Sequence, residues 1–164
     1  MDRHTEERIL ELLEKDAKLK ASELAVMLGL EENEVSAAIK NFEKKGVIRG
    51  YHALVNWDKT DDEKVSALIE LKVTPQRGNG FDKIAEKIYQ YPEVDSLYLM
   101  SGRFDFTVML RKATMKEIAH FVASKLAVID GVQSTATHVV LLRYKDRGFV
   151  MTDEEKQKRM MVNL

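Results

Sequence analysis

Residues 30–51 read LEENEVSAAIKNFEKKGVIRGY. Val35, Ile39 and Phe42 fall at i, i+4 and i+7, the spacing that sets three apolar side chains on one helix face. Gly46 stops that helix, because glycine takes the left-handed cap conformation without steric cost. Val47-Ile48-Arg49-Gly50-Tyr51 then reads as extended chain. A helix followed at once by a short strand is how a winged helix-turn-helix ends, with residues 31–40 turned to a DNA groove. These residues include Glu31, Glu32 and Glu34, an acidic start for a helix that meets phosphates.

Upstream, Thr5 is expected to cap a first helix with Ile9, Leu12 and Leu13 on its apolar face. Glu6 and Glu7 sit in its first turn, where the helix dipole favours negative charge. Residues 16–20 form a polar break. A second helix opens at Ala21-Ser22, buries Leu24, Ala25 and Leu28, and ends at Gly29-Leu30. Two short helices, a glycine turn and a third amphipathic helix make the helix-turn-helix pattern. A plain three-helix bundle is the alternative, and the Gly46-Val47-Ile48 segment favours the DNA-binding type.

Downstream, residues 51–57 alternate weakly, as a strand would, and residues 58–63 read as a polar linker. Trp57, the only tryptophan, is either an anchor between domains or subunits or an ordinary buried residue. From Lys64 onward a pattern recurs. Residues 65–73 form a strand, and Phe81, Ile84, Ala85 and Ile88 a helix face closed by Pro92. Residues 94–100 and 104–110 are strands joined by a turn at Ser101-Gly102-Arg103. Met115, Ile118, Ala119, Val122 and Leu126 form a second helix face, and Asp130-Gly131 leads into a strand over 133–143. The order βαββαβ is the ferredoxin-like split unit, so the fold class is α+β. Apolar residues on both strand faces call for a cover beyond the two helices, and a sheet-to-sheet dimer is the simplest. Thr152 with acids first and bases last over residues 153–159 predicts a short helix in the tail. The expected parts are a helix-turn-helix domain at 1–50, a strand and linker at 51–63, a βαββαβ domain at 64–145 and a tail at 146–164.

The 164 residues carry a net charge of −1 and no cysteine. This excludes disulfides, thiolate catalysis and cysteine-ligated zinc, and fits a reducing cytoplasm. The charged N-terminus does not read as a secretory signal, and no apolar run approaches membrane-spanning length. His4, His52, His120 and His138 lack metal-ligand spacing, so no metal and no cofactor are expected.

Several motifs, in order and at matching spacing, carry a resemblance over residues 5–143. They are Ser22-Glu23-Leu24-Ala25, Gly29-Leu30, Val35, Ile39, Glu43 and Gly46-Val47-Ile48-Arg49-Gly50-Tyr51. Ser101-Gly102-Arg103-Phe104-Asp105 and Ile129-Asp130-Gly131-Val132-Gln133-Ser134-Thr135-Ala136-Thr137 follow. Together they resemble the Lrp/AsnC (leucine-responsive, feast/famine) family of transcription regulators. The resemblance implies a DNA-binding head joined to an effector-binding RAM domain, and dimers that assemble into tetramers or octamers. It implies an amino-acid effector where RAM domains meet, held by Leu99, Met100, Ser101, Gly102, Arg103 and Asp105 with Gln133, Ser134, Thr135 and Thr137. Gly102 would let backbone approach an α-carboxylate, and Asp105 would accept from an α-ammonium group. Alternatively, Gly102 serves the turn and Asp105 caps it through backbone N–H groups.

For double-stranded DNA the resemblance points to Ser22, Asn33, Ser36, Ala37, Lys40, Asn41, Lys44, Lys45 and Arg49. The departure is in the third helix. Glu31, Glu32, Asn33, Glu34 and Ala38 stand where the family tends to place hydroxyls and an arginine. Residues 1–56 carry nine bases against eleven acids, a net of −2. A DNA-binding regulator is therefore the leading expectation. A metabolite-binding co-regulator with little DNA affinity, working through a hetero-oligomer with a homologous regulator, is the alternative. An enzyme similar to the sirohaem decarboxylases would need Arg103, His120 and His138 to converge.

Overall fold

The computed structural model describes residues 1–60, 63–74 and 80–152. The chain divides into two compact units, Met1–Val55 and Asn56–Leu164. In the first, α1 (Arg3–Lys15), α2 (Ala21–Leu28) and α3 (Glu32–Lys44) pack around Ile9, Leu13, Leu24, Ala25, Val35 and Phe42. Ile39, Leu12 and Leu28 lie at the edge of that core, only partly buried. The cap of α1 is Asp2 rather than Thr5: its carboxylate accepts the Thr5 N–H at 2.8 Å. A carboxylate at the positive end of a helix outcompetes a hydroxyl one turn inside it.

The end of α3 follows from one glycine. Gly46 has φ +70°, its N–H donates to Glu43 O at 3.0 Å, and Val47 N–H donates to Phe42 O at 2.8 Å. This pair of bonds is a Schellman cap. Ile48 N–H also turns to Phe42 O, at 3.2 Å. The expected extended segment after Gly46 therefore makes no strand ladder, because its first two donors close the helix. The expected strand over 51–57 is also missing. Residues 51–56 have no regular structure, and Trp57–Lys59 is a 3₁₀ turn. A strand needs a neighbour to take its backbone groups, and among the described residues none pairs there.

The second unit is a four-stranded antiparallel sheet in the order β2-β3-β1-β4, with β1 Val65–Val73, β2 Val94–Leu99, β3 Phe106–Ala113 and β4 Val132–Val139. Ala67, Ile69, Leu71 and Val73 alternate along β1 onto one face, joined by Phe106, Val108 and Leu110 of β3. Against them pack Ile84 and Ile88 of α4 (Asp82–Tyr89) and Ile118 and Phe121 of α5 (Met115–Phe121). Burying each such large side chain contributes about 1.5–3 kcal/mol. Helix α5 continues into a π-helical turn, Val122–Leu126. The opposite sheet face carries Leu68, Glu70, Lys72, Thr107, Met109, Ser134, Ala136 and His138, opposed in the strand registers.

Two features differ from expectation at the C-terminal side. β4 ends at Val139, and a two-stranded hairpin follows, β5 (Lys145–Asp146) and β6 (Phe149–Val150). Its loop residues Arg147 and Gly148 both have positive φ, 44° and 89°. That is the twist a two-residue hairpin loop needs. The helix expected over 152–159 falls almost wholly outside the described residues.

Asp105 ties two strands together. Its N–H donates to Leu71 O at 2.9 Å, and its carboxylate accepts Val73 N–H at 2.9 Å and Lys72 Nζ at 3.1 Å. The Val73 N–H, and after it Lys72, hold the carboxyl below the ordinary 3.8.

Gly46→Val should cost on the order of 1–2 kcal/mol, since an L side chain is strained at positive φ; an unchanged melting temperature would refute the cap. Asp105→Ala should also destabilise, by roughly 1–3 kcal/mol, because Val73 N–H loses its acceptor. A depressed carboxylate pKa stabilises the fold above about pH 4 and stops doing so as pH falls through the folded value. The stability difference between wild type and Asp105→Ala should therefore shrink on acidification below pH 4; a gap that stays constant from pH 7 to pH 2 would contradict this.

Candidate DNA-contacting helix and sheet-end ligand site

On α3 the buried stripe fixes which residues face away. Opposite Val35, Ile39 and Phe42 lie positions 33, 37, 40 and 44, spaced i, i+4, i+7 and i+11. Asn33, Ala37, Lys40 and Lys44 are all exposed. This ridge holds two bases and no acid. Glu32 and Glu34 lie on its two flanks, and Glu31 precedes the helix as its N-cap. Glu43 is engaged elsewhere, accepting the Tyr51 hydroxyl at 2.9 Å. Burial first, and this bond second, raise the Tyr51 pKa above 10.0.

The remaining expected DNA contacts are arranged around the ridge. Ser22, in the first turn of α2, is half-buried, as are Ser36 and Asn41 on α3. Lys45 and Arg49 are exposed beyond the helix end. The Arg49 guanidinium folds back over the cap, so that a Cβ on Gly46 would meet its central carbon at 3.1 Å. Val26 and Met27 of α2, outside the expected stripe of Leu24, Ala25 and Leu28, are exposed.

Most of the expected effector residues lie at one end of the sheet, where β1 and β2 finish and β3 and β4 begin, whereas Thr137 is opposite Ile69 at mid-strand. Leu99, opposite Phe106, and Thr135, opposite Leu71, mark it. Leu99, Met100, Ser101, Gly102 and Arg103 are exposed. Gly102 has φ +146°, and a Cβ there would meet nothing within 4 Å. Arg103 lies 5.6 Å from the centroid of the Phe104 ring. Gln133 Nε2 donates to Thr74 Oγ1 at 2.6 Å. Ser134 lies on the face away from the helices, while Thr135 and Thr137 share the register of Leu71 and Ile69. β2 and β4 are the two outer strands, so Leu99 and Thr135 are three strand spacings apart, about 14 Å. One protomer does not close both groups around a single amino acid. Asp105, already engaged by Val73 and Lys72, forms the floor between them.

Arg103, His120 and His138 do not converge. His120 belongs to α5 on the helix layer, whereas His138 lies on the opposite sheet face, its Nε2 3.0 Å from Glu70 Oε2. Trp57 is 45% exposed, which removes the ordinary buried reading. No helix among the described residues is long and apolar enough to cross a membrane.

Comparison with known proteins agrees with this arrangement. Residues 66–150 match the family model described as the Lrp/AsnC ligand binding domain, and residues 2–49 match the winged helix-turn-helix DNA-binding model. The chain is 43% identical over 159 residues to the HTH-type transcriptional regulator YugG of Bacillus subtilis, covering 96% of each protein. It is similar to a Neisseria meningitidis transcriptional regulator solved as an L-Met complex, with 25% identity and a TM-score of 0.70. That match covers 89% of this chain and 93% of the other. The fold is also that of Escherichia coli AsnC, at a TM-score of 0.68 and 21% identity, with 91% and 98% covered. With a helix-turn-helix head and a ligand-binding sheet matched in order along one chain, this protein belongs to the Lrp/AsnC family of transcriptional regulators.

Proposed function

We propose that this regulator grips double-stranded DNA through the outward ridge of α3 and responds to an amino acid at the Gly102–Asp105 end of its sheet. The acid-free ridge carries the first part of this reading. Lys40 and Lys44 would neutralise phosphates, helped by Lys45 and Arg49. Asn33 and Asn41 offer the paired donor and acceptor that adenine matches. The glutamates on the flanks limit affinity per head, so binding depends on several heads acting together on one dimer, tetramer or octamer. The chain works in the cytoplasm, where its DNA is.

The effector half rests on the sheet-end geometry. Groups about 14 Å apart enclose one small ligand only if a second protomer brings its own edge strand up. The mixed face of Leu68, Met109, Ala136 and their polar neighbours supplies the surface for a sheet-to-sheet dimer. The L-Met held by the Neisseria relative supports an amino acid as the effector class. Asp105 serves the ammonium group, Gly102 N–H the carboxylate, and Thr135 and Thr137 the remaining polar contacts.

The acidic start of α3 favours one second reading, a co-regulator that acts through a homologous DNA-binding partner. A salt series decides between the two. Wild type should retain a promoter fragment at low salt, with affinity falling linearly in log[salt]. Lys40→Glu should abolish retention, and Glu31→Lys should strengthen it and steepen the slope by about one contact. No retention at the lowest salt would overturn the DNA-gripping reading in favour of the co-regulator.

For the effector, an L-amino acid at 100 times its Kd should stabilise the fold by about 2.7 kcal/mol, read as a rise in melting temperature. Thr135→Ala should reduce that rise. The absence of a shift with all twenty amino acids would sink the assignment.

A further inference from the structure

Glu43 is the one acid in the last turn of α3, between Phe42 and Lys44. It stands at the wrong end of the helix, because the C-terminal pole is negative and favours bases. Two of the cations assigned to phosphates lie within its reach. Lys40 is one turn back, at i−3, a spacing at which side chains on a helix surface meet. Arg49 lies on the other side, its guanidinium over Gly46, and the Gly46 N–H is bonded to Glu43 O at 3.0 Å. A carboxylate with no other partner would pair with one of these bases and take it from the DNA.

The fold supplies another partner. The cap at Gly46 turns the chain, with Val47 N–H and Ile48 N–H both donating to Phe42 O, and the residues that follow return to the last turn of α3. Tyr51 arrives there, and its hydroxyl donates to Glu43 Oε1 at 2.9 Å across eight positions of sequence. Burial, and then this bond, raise the Tyr51 pKa above 10.0, so the hydroxyl keeps the proton that it donates. Lys40, Lys44 and Arg49, by contrast, enter no ion pair among the described residues.

We infer that Tyr51 is a positioning residue for DNA binding: by holding the Glu43 carboxylate it leaves Lys40 and Arg49 to the phosphates. The role rests on the proposed grip of α3 on DNA and adds to it a residue outside the contact surface.

The salt series, run on the full chain with Tyr51→Phe, Glu43→Gln and the double variant, tests this. Tyr51→Phe keeps the ring and loses the donor. It should bind the promoter fragment roughly tenfold more weakly at about 50 mM salt and flatten the slope by about one contact. Glu43→Gln, with no charge to hold, should bind at least as tightly as wild type. The double variant should recover wild-type affinity and slope. A merely structural tie predicts otherwise, since removing either side would then weaken binding alike and the double variant would recover nothing. Tyr51→Met, also without a donor, carries the same test if Tyr51→Phe does not fold. Wild-type affinity in Tyr51→Phe would overturn the positioning role and leave the α3 assignment standing. So would Glu43→Gln or the double variant binding as weakly as Tyr51→Phe. No retention by wild type at the lowest salt would overturn the α3 assignment itself, and this role with it.

Discussion

Strand β1 is hydrogen-bonded along both edges, to β3 and to β4, and buries Ala67, Ile69, Leu71 and Val73 in alternation. With no free edge, it satisfies most of its backbone inside the sheet, with Asp105 taking Val73 N–H at its end, and it sets the register of both neighbours. Its length matters as much as its burial. Eight steps of about 3.4 Å separate Val65 from Val73 by roughly 27 Å. Side chains at its two ends are therefore well separated. One end holds Gly102, Asp105 and Gln133; the other holds Trp57, Lys64, Lys112 and Arg143.

How much of this could be read from the letters depends on where the deciding interaction lies. β1 over Val65–Val73 alternates except at Leu68, and its bounds match the expected strand. Gly46 marks the end of α3 because only its own backbone decides the matter. The strands expected after Gly46 fail for a non-local reason: a short extended segment is a strand only where a neighbour pairs with it. The hairpin at 145–150 was missed because its signal, Arg147-Gly148 between two-residue strands, is too short for periodicity to register. Asp105 was visible as a polar residue after a turn, but its partner Val73 lies 32 positions away, beyond any local spacing rule.

The third helix shows why charge totals mislead at this scale. A net of −2 over the head argues against a nucleic-acid partner only if the charges are smeared over its surface. Helical geometry sorts them instead. Val35, Ile39 and Phe42 fix the inner face, and the outer ridge then falls on Asn33, Ala37, Lys40 and Lys44. Glu43 is occupied by Tyr51, and Glu31, Glu32 and Glu34 sit at the helix start, where the dipole stabilises negative charge. Part of the acidity thus supports the helix itself. Its cost is borne in affinity per head, because flanking carboxylates lie within a Debye length, about 8–10 Å, of any docked phosphate. In the proposed reading, such weak heads would hold DNA only when several engage at once.

Asp105 is a structural tie, and the ligand role proposed for it has to be compatible with that. Its two oxygens receive Val73 N–H and Lys72 Nζ, yet an ionised carboxylate has about four acceptor positions. Half of its capacity remains after the sheet is satisfied. The positive partners keep it charged, as its lowered pKa records, and a charged acceptor is what an α-ammonium group requires. Lys72 is the weaker tie, 40% exposed at its side chain, and its ammonium can exchange for another without disturbing Val73. The strand cap and the ligand contact are thus compatible roles. The backbone bond fixes the carboxylate, so in the proposed reading an α-ammonium group would replace Lys72 rather than Val73.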